Sequence, residues 1–98
     1  MYEIVWEFRA QPNRIAEFEA AYGPGGSWAH LFQNSEGFIE TRLLHDREEK
    51  GRYLTLDRWA SPDAFEAFMR DHREAYEALD RALEGLCADE RRIGVFSA

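Results

Sequence analysis

The sequence predicts an α+β fold in which helices cover one face of a four-stranded antiparallel sheet. Four segments have the composition and alternation of strands, and two well-separated segments have the apolar spacing of helices. They follow one another in the order β-α-(α)-β-β-α-β, where the bracketed helix is short. At 98 residues the chain has the size of one domain, which we assign to residues 1–98.

The first third of the chain predicts a strand followed by two helices. Residues Tyr2–Arg9 alternate apolar and polar side chains, and Pro12 ends the strand because it lacks an N–H for the ladder. Apolar residues at helical spacing predict a helix from Asn13 to Tyr22. A short helix is predicted from Trp28 to Gln33, with Ser27 as its N-cap.

The middle of the chain predicts a β-hairpin. Its strands are Phe38–His45 and Arg52–Trp59, and the charged segment 46–51 between them suits a loop. Both strands carry apolar residues on both faces, whereas a sheet with one wet face alternates more cleanly. Because the helices cover one face, we expect a second copy of the chain to cover the other.

The last third predicts a long helix and a fourth strand. Ser61 and Pro62 have the composition of a helix start, and Gly85 is expected to end the helix in a Schellman motif. The fourth strand is Arg91–Phe96, which completes a ferredoxin-like arrangement of two split βαβ units. The apolar stripe of the long helix contains Phe65, Phe68, Met69, His72, Tyr76, Leu79, Leu83 and Leu86.

Composition excludes several classes of function. The formal net charge of −7 argues against a nucleic-acid-binding protein and against docking on anionic lipid, which both need basic surfaces. No apolar run approaches the roughly 20 residues that cross a bilayer, and the first residues lack the basic segment of a signal peptide. Cys87 is the only cysteine, so neither an internal disulfide nor a cysteine-rich metal site is expected. We therefore expect a cytoplasmic protein.

Aromatic residues make up 14% of the chain, which is a large load for one small core. A chain of this length buries only about 60–65% of its unfolded surface. The rings must therefore find cover in the core, against a second subunit, or around a ligand. These residues predict a homodimer that pairs through its sheet faces and a cavity lined by aromatic side chains.

The sequence resembles the antibiotic biosynthesis monooxygenase family along essentially its whole length. The resemblance lies in Glu17-Phe18, Gly25-Gly26-Ser27-Trp28, Glu36-Gly37-Phe38, Tyr53–Trp59 with Ser61, Phe65 and Phe68, and Glu90-Arg91-Arg92-Ile93-Gly94. It implies a dimeric α+β barrel in which two ferredoxin-like subunits pack sheet against sheet. It also implies a cavity between the sheet and the helices, and cofactor-independent oxygenation of a small aromatic compound such as a phenol, hydroquinone or polyketide-like molecule.

The candidate catalytic residues are His72 and Tyr76, one helical turn apart on the long helix. His72 is either a packed histidine with satisfied nitrogens or a neutral imidazole that faces the cavity as a base. The candidate substrate-binding residues are Trp59, Phe68, Trp6 and Tyr53. For Trp59, ordinary core packing and a wall stacked on a flat substrate are equally open.

The sequence also offers two further polar candidates and two alternative functions. Arg42 and Asp57 are further polar candidates, although strand alternation alone does not place them in the cavity. The haem-degrading branch of the family combines an Asn near the end of the first strand with a Trp and a His, which Trp59 and His72 resemble. Here no Asn occurs until Asn13, so haem binding ranks second. A non-catalytic ligand-binding dimer is the third possibility, and no metal ligand spacing is found.

Overall fold

The computed structural model describes residues 1–98 and contains one mixed arrangement of strands and helices. The elements are β1 (Tyr2–Ala10), α1 (Ile15–Tyr22), α2 (Ser27–Phe32), β2 (Phe38–His45), β3 (Arg52–Trp59), α3 (Pro62–Leu83), a 3₁₀ turn (Glu84–Leu86) and β4 (Cys87–Ser97). The strands form one antiparallel sheet in the order β2-β3-β1-β4. The predicted α+β fold and element order are therefore confirmed.

The strands differ from prediction mainly at β4. The observed strand is longer than the predicted Arg91–Phe96 because β1 offers a pairing edge along its whole length, down to the pair Ala10–Cys87. Its charged residues Asp89 and Glu90 are tolerated because β4 is an edge strand whose side chains reach solvent. Charge in a sequence therefore does not by itself end a strand at the edge of a sheet.

The junction between α1 and α2 depends on a glycine. Gly26, not the predicted Ser27, is the N-cap of α2, and no side chain caps this helix. A Cβ atom at Gly26 would lie 2.3 Å from the carbonyl oxygen of Ala20, so α2 can approach the end of α1 only with glycine here. The first helix also begins later than predicted, at Ile15 rather than Asn13.

Helix α3 starts as predicted and ends differently. The Ser61 hydroxyl accepts a 3.1 Å hydrogen bond from the Ala64 N–H, and Pro62 occupies the first turn. The predicted Schellman ending at Gly85 is wrong, because the helix runs into a 3₁₀ turn and Gly85 does not adopt positive φ. Within α3, His72 has non-helical dihedral angles (φ −129°, ψ 21°), which break the helix at that point.

The core lies between the helices and one face of the sheet. Trp59, Phe18 and Phe68 are the largest fully buried side chains. The register places Ile4, Trp6 and Phe8 of β1 on this helix-facing side, beside alternate residues of the neighbouring strands (Tyr53, Thr55, Asp57, Trp59, Thr41, Glu90, Arg92). None of the helices is both long and apolar enough to cross a membrane.

Candidate active site

A cavity of about 90 Å³ lies between the helices and the middle of the helix-facing side of the sheet. Its wall contains six aromatic rings from β1, α1, α2 and α3 (Trp6, Phe8, Tyr22, Trp28, Phe32, Tyr76). Its polar residues come from three strands and α3 (Thr41, Thr55, Asp57, Asp80, Glu90). An aromatic cavity with a few convergent polar groups is the usual form of a small-molecule site.

Asp57 is the carboxylate on the floor of this cavity. It pairs with Ile4 on one side and with Thr41 on the other, in the middle of the sheet. The Thr41 hydroxyl donates a 2.8 Å hydrogen bond to Asp57 Oδ1. Burial raises the pKa of this carboxyl to about 6, against the opposing effect of the Thr41 hydrogen bond. Asp57 is therefore a carboxylate more basic than usual, fixed in orientation.

Tyr76 reaches the cavity from α3, beyond the break at His72. Its ring centroid lies 5.0 Å from that of Trp28, and its side chain is half-buried. Burial raises the pKa of the Tyr76 hydroxyl, and the negative charges of Asp80, Asp57 and Glu90 raise it further. At neutral pH the hydroxyl is therefore protonated and available as a hydrogen-bond donor.

The rim of the cavity is acidic. Asp80 and Glu90 are exposed residues that line the cavity, one on α3 and one on β4. Partial burial raises the pKa of Glu90, as do the nearby charges of Asp80, Asp89 and Glu84. Arg92 is the single arginine or lysine on the helix-facing side of the sheet, and its charge is felt at Tyr76. It is exposed and does not line the cavity.

The wall also contains a buried donor without a partner. The indole N–H of Trp28 is inaccessible to solvent and makes no hydrogen bond of good geometry, although it lies close enough to the Tyr22 hydroxyl to lower the pKa of that group. An unmade hydrogen bond of this kind usually costs about 1–3 kcal/mol. Because this nitrogen is inaccessible, a ligand in the cavity contacts the Trp28 ring rather than its N–H.

Comparison with known proteins decides the family. A family model described as antibiotic biosynthesis monooxygenase matches residues 1–79. The chain belongs to this family. No curated protein matches the sequence.

Solved structures share the fold of this antibiotic biosynthesis monooxygenase family member. A crystal structure of a SnoaB mutant, a cofactor-independent oxygenase from Streptomyces nogalater, is 25% identical with a TM-score of 0.81, covering 99% of this chain and 91% of that one. The unmutated SnoaB structure is also 25% identical over the same shares, with a TM-score of 0.80. A candidate family member from Deinococcus radiodurans, 17% identical, has the same fold, with a TM-score of 0.75 and coverage of 100% and 92%.

Of the six candidate residues from the sequence, Trp6 and Tyr76 line the cavity. Trp59 and Phe68 do not. Trp59 is fully buried in a cluster of rings, with its centroid 5.2–5.5 Å from four others (Phe32, Phe38, Phe65, Phe68). In this family member both therefore have the surroundings of core residues.

Tyr53 lies beyond the cavity, near the end of the sheet where β3 begins. Its ring packs 4.8 Å from that of Phe18, and its hydroxyl donates a 2.5 Å hydrogen bond to Glu19 Oε2. Burial and the Glu19 carboxylate raise the pKa of Tyr53 to about 12. The Tyr53–Glu19 bond fastens α1 to the sheet.

His72 lies outside the cavity in this structure. The break in α3 leaves its side chain exposed, stacked on Phe68 at a centroid distance of 5.2 Å. His72 is absent from the cavity wall, whereas Tyr76, one turn later, is present. Regular helical spacing alone did not indicate this break.

The structure adds three carboxylates that the sequence did not place. Asp57 shares the alternation of Tyr53, Thr55 and Trp59, so an acid among helix-facing aromatic positions was the available signal. Asp80 follows Tyr76 by four residues, which places both on one side of a helix. Glu90 lay outside the predicted fourth strand and had no assigned face. Arg42 pairs with Leu56 and lies on the opposite side of the sheet.

The residues present do not fit a haem site. The Trp59 and His72 pair that resembles the haem-degrading pattern is split between the core and the surface, and no histidine lines the cavity. Nor do three His, Cys, Asp or Glu side chains group together in a way that would hold a metal ion.

Proposed function

We propose that this protein is a cofactor-independent monooxygenase that oxidises a small phenol or hydroquinone in the aromatic cavity. The observation that carries the proposal is a half-buried, hydrogen-bonded carboxylate, Asp57, at the floor of a cavity walled by six rings. Membership of the family and the similarity to SnoaB support the same class of reaction.

The reaction requires few catalytic groups. A phenol that has lost its proton can pass an electron to dioxygen, and recombination then joins oxygen to the ring. Overall, a phenol and O₂ give a quinone and water, so the substrate itself supplies all the electrons. The protein has to bind the ring, accept a proton and support the negative oxygen that results.

The cavity residues match these three tasks. Asp57 is the proposed base, because a carboxyl with a pKa of about 6 is ionised at neutral pH and accepts a proton better than an ordinary aspartate. Tyr76 is the proposed donor to the phenolate oxygen, and Trp6 stacks on the substrate ring. The volume of about 90 Å³ is below the roughly 150 Å³ of a cavity that holds benzene, so at most one small ring is buried.

Oxygen consumption tests the proposal and separates Asp57 from the sequence candidate His72. Purified protein is expected to consume oxygen with members of a panel of single-ring hydroquinones, catechols and phenols, without added flavin or metal. The His72→Ala variant is expected to keep at least about half of the wild-type rate, because this side chain lies outside the cavity. Absence of oxygen uptake throughout the panel would refute the function. If the His72→Ala variant lost its activity, His72 rather than Asp57 would be the base.

We also propose that two copies pair through the sheet face that no helix covers. Val5 pairs with Leu56, and Leu54 pairs with Leu44, which makes an apolar strip across three strands on this face. Ion pairs flank the strip, with Arg58 joined to Glu3 and Glu40 on one side (3.3 and 2.6 Å) and Arg52 to Glu7 on the other (2.6 Å). A strip of this kind suits an isologous contact.

Sedimentation equilibrium tests the pairing. Wild type is expected to sediment as a dimer and Leu56→Glu as a folded monomer, because the new charge would be buried at the centre of the contact. The control Ala78→Glu places the same charge on an exposed position of α3 and should remain dimeric. A monomeric wild type at micromolar concentration would contradict the proposal.

A further inference from the structure

The charged residues around the cavity indicate which charge its ligand carries. Three carboxylates line it, one on the floor and two at the rim (Asp57, Asp80, Glu90), and no arginine or lysine is among the lining residues. The opposing charge on this side of the sheet is Arg92, which is exposed. The interior of the cavity therefore has a negative potential, focused by apolar walls.

The aromatic wall adds to this preference. The faces of Trp, Tyr and Phe rings attract cations through their quadrupoles, most strongly for Trp. Two tryptophans and two tyrosines line the cavity together with two phenylalanines. Aromatic walls combined with carboxylates are the arrangement that proteins use to bind ammonium groups.

Proton transfer from the substrate to Asp57 also favours a positively charged substrate. A phenolate formed in the cavity faces the negative charges of Asp80 and Glu90. Among the side chains of the protein, only the exposed Arg92 offsets this negative charge. A positive charge on the substrate itself would balance the phenolate at the rim. An anionic substituent there would instead meet two carboxylates, which is a repulsive contact of the kind that sets specificity.

We propose that this site selects phenolic ligands that carry a positively charged side chain, such as an alkylammonium group, and rejects phenolic carboxylates. The ring lies among Trp6, Trp28 and Tyr76, and the ammonium group lies between Asp80 and Glu90. The inference rests on the proposed function in using the same cavity, and it adds the charge of the substrate.

Three catechols that share one ring separate charge from shape. Dopamine carries an ammonium group, 3,4-dihydroxyphenylacetate a carboxylate, and 4-methylcatechol no charge at neutral pH. Binding is followed under nitrogen by quenching of tryptophan fluorescence, since two of the three tryptophans line the cavity. Dopamine is expected to bind at least about tenfold more tightly than 3,4-dihydroxyphenylacetate, with the affinity of 4-methylcatechol between them. Added salt should reduce the differences in affinity among the three catechols.

Charge-removing variants assign the preference to the rim. The double variant Asp80→Asn, Glu90→Gln is expected to bind all three catechols within about threefold of one another. The control Glu77→Gln removes an exposed charge of the same helix outside the cavity and should keep the wild-type order. Circular dichroism verifies that each variant is folded.

The outcomes separate this inference from the proposed function. Dopamine that fails to bind, a carboxylate that binds as tightly, or an order unchanged in the double variant would each overturn the charge selection. Because the readout is binding without oxygen, it does not depend on turnover. A protein that binds in the expected order but consumes no oxygen would retain this inference and lose the monooxygenase.

Discussion

Replacing Asp57 with asparagine is expected to abolish turnover and, at the same time, to make the protein more stable at neutral pH. Asparagine keeps the shape of the side chain and can still accept the Thr41 hydrogen bond, but it accepts no proton. Removing a general base typically lowers the rate about 100-fold or more. We therefore expect kcat to fall by at least about 100-fold, with ligand binding largely retained.

The gain in stability follows from the raised pKa of Asp57. The pKa of the carboxyl is 3.8 as a model value and about 6 in the folded protein. Between these values the folded state binds more protons than the unfolded state, so stability falls as pH rises from about 4 to about 6 and stays lower above. Because asparagine does not titrate, the variant should exceed wild type by as much as about 3 kcal/mol at pH 8 and match it near pH 3.5.

Urea denaturation at the two pH values measures the difference. Asp71→Asn is the matched control, since Asp71 is exposed on α3, and its substitution should change stability at pH 8 by less than about 0.5 kcal/mol. An Asp57→Asn variant that is less stable than wild type at pH 8, or that turns over normally, would show that Asp57 is a structural acid. The expected pairing of gained stability and lost activity is typical of a functional group kept at a cost to the fold.

Trp59 and Trp6 are expected to give opposite results. Trp59 is fully buried among four rings, so Trp59→Ala should lower the free energy of unfolding by about 3–5 kcal/mol, a large part of the roughly 5–15 kcal/mol of a chain this size. Trp6 is only half-buried and lines the cavity, so its loss should weaken ligand binding instead.

Phenylalanine variants keep this comparison measurable in folded protein. Trp59→Phe is expected to lower the unfolding midpoint and leave the Kd for 4-methylcatechol within twofold of wild type. Trp6→Phe is expected to change stability little and to weaken binding by about threefold to tenfold. If Trp59→Phe impaired binding more than Trp6→Phe did, Trp59 would be part of the substrate wall after all.

Local sequence patterns were sufficient for the order of strands and helices because the signals that start and end most of these elements lie in neighbouring residues. The apolar composition of β2 and β3, the charged loop between them and the Ser61-Pro62 start of α3 each depend on a few adjacent residues, and the structure reproduces them. The same patterns failed where a distant element decides. The extension of β4 depends on the free edge of β1, and the N-cap of α2 depends on contact with α1.

The site was harder to predict than the fold, because the alternation of side chains along a strand indicates which face of the sheet a residue lies on but not where on that face it lies. Trp59 and Asp57 share a face of β3, yet one is packed under rings and the other lines the cavity. That difference depends on where the helices lie across the sheet. For His72, the deciding feature is a break in α3 that the apolar stripe does not reveal.

The position of β1 in the sheet has a consequence for folding kinetics. β1 lies between β3 and β4, so Phe8 of β1 pairs with Glu90, which lies near the other end of the sequence. Pairings between distant segments form slowly, because the loop between them must be closed before the contact is gained. Until then one long edge of β1 stays open, and such an edge invites pairing with other chains. Since Trp6 and Phe8 meet Glu90 at the cavity, recovery of ligand binding should be among the last events of refolding.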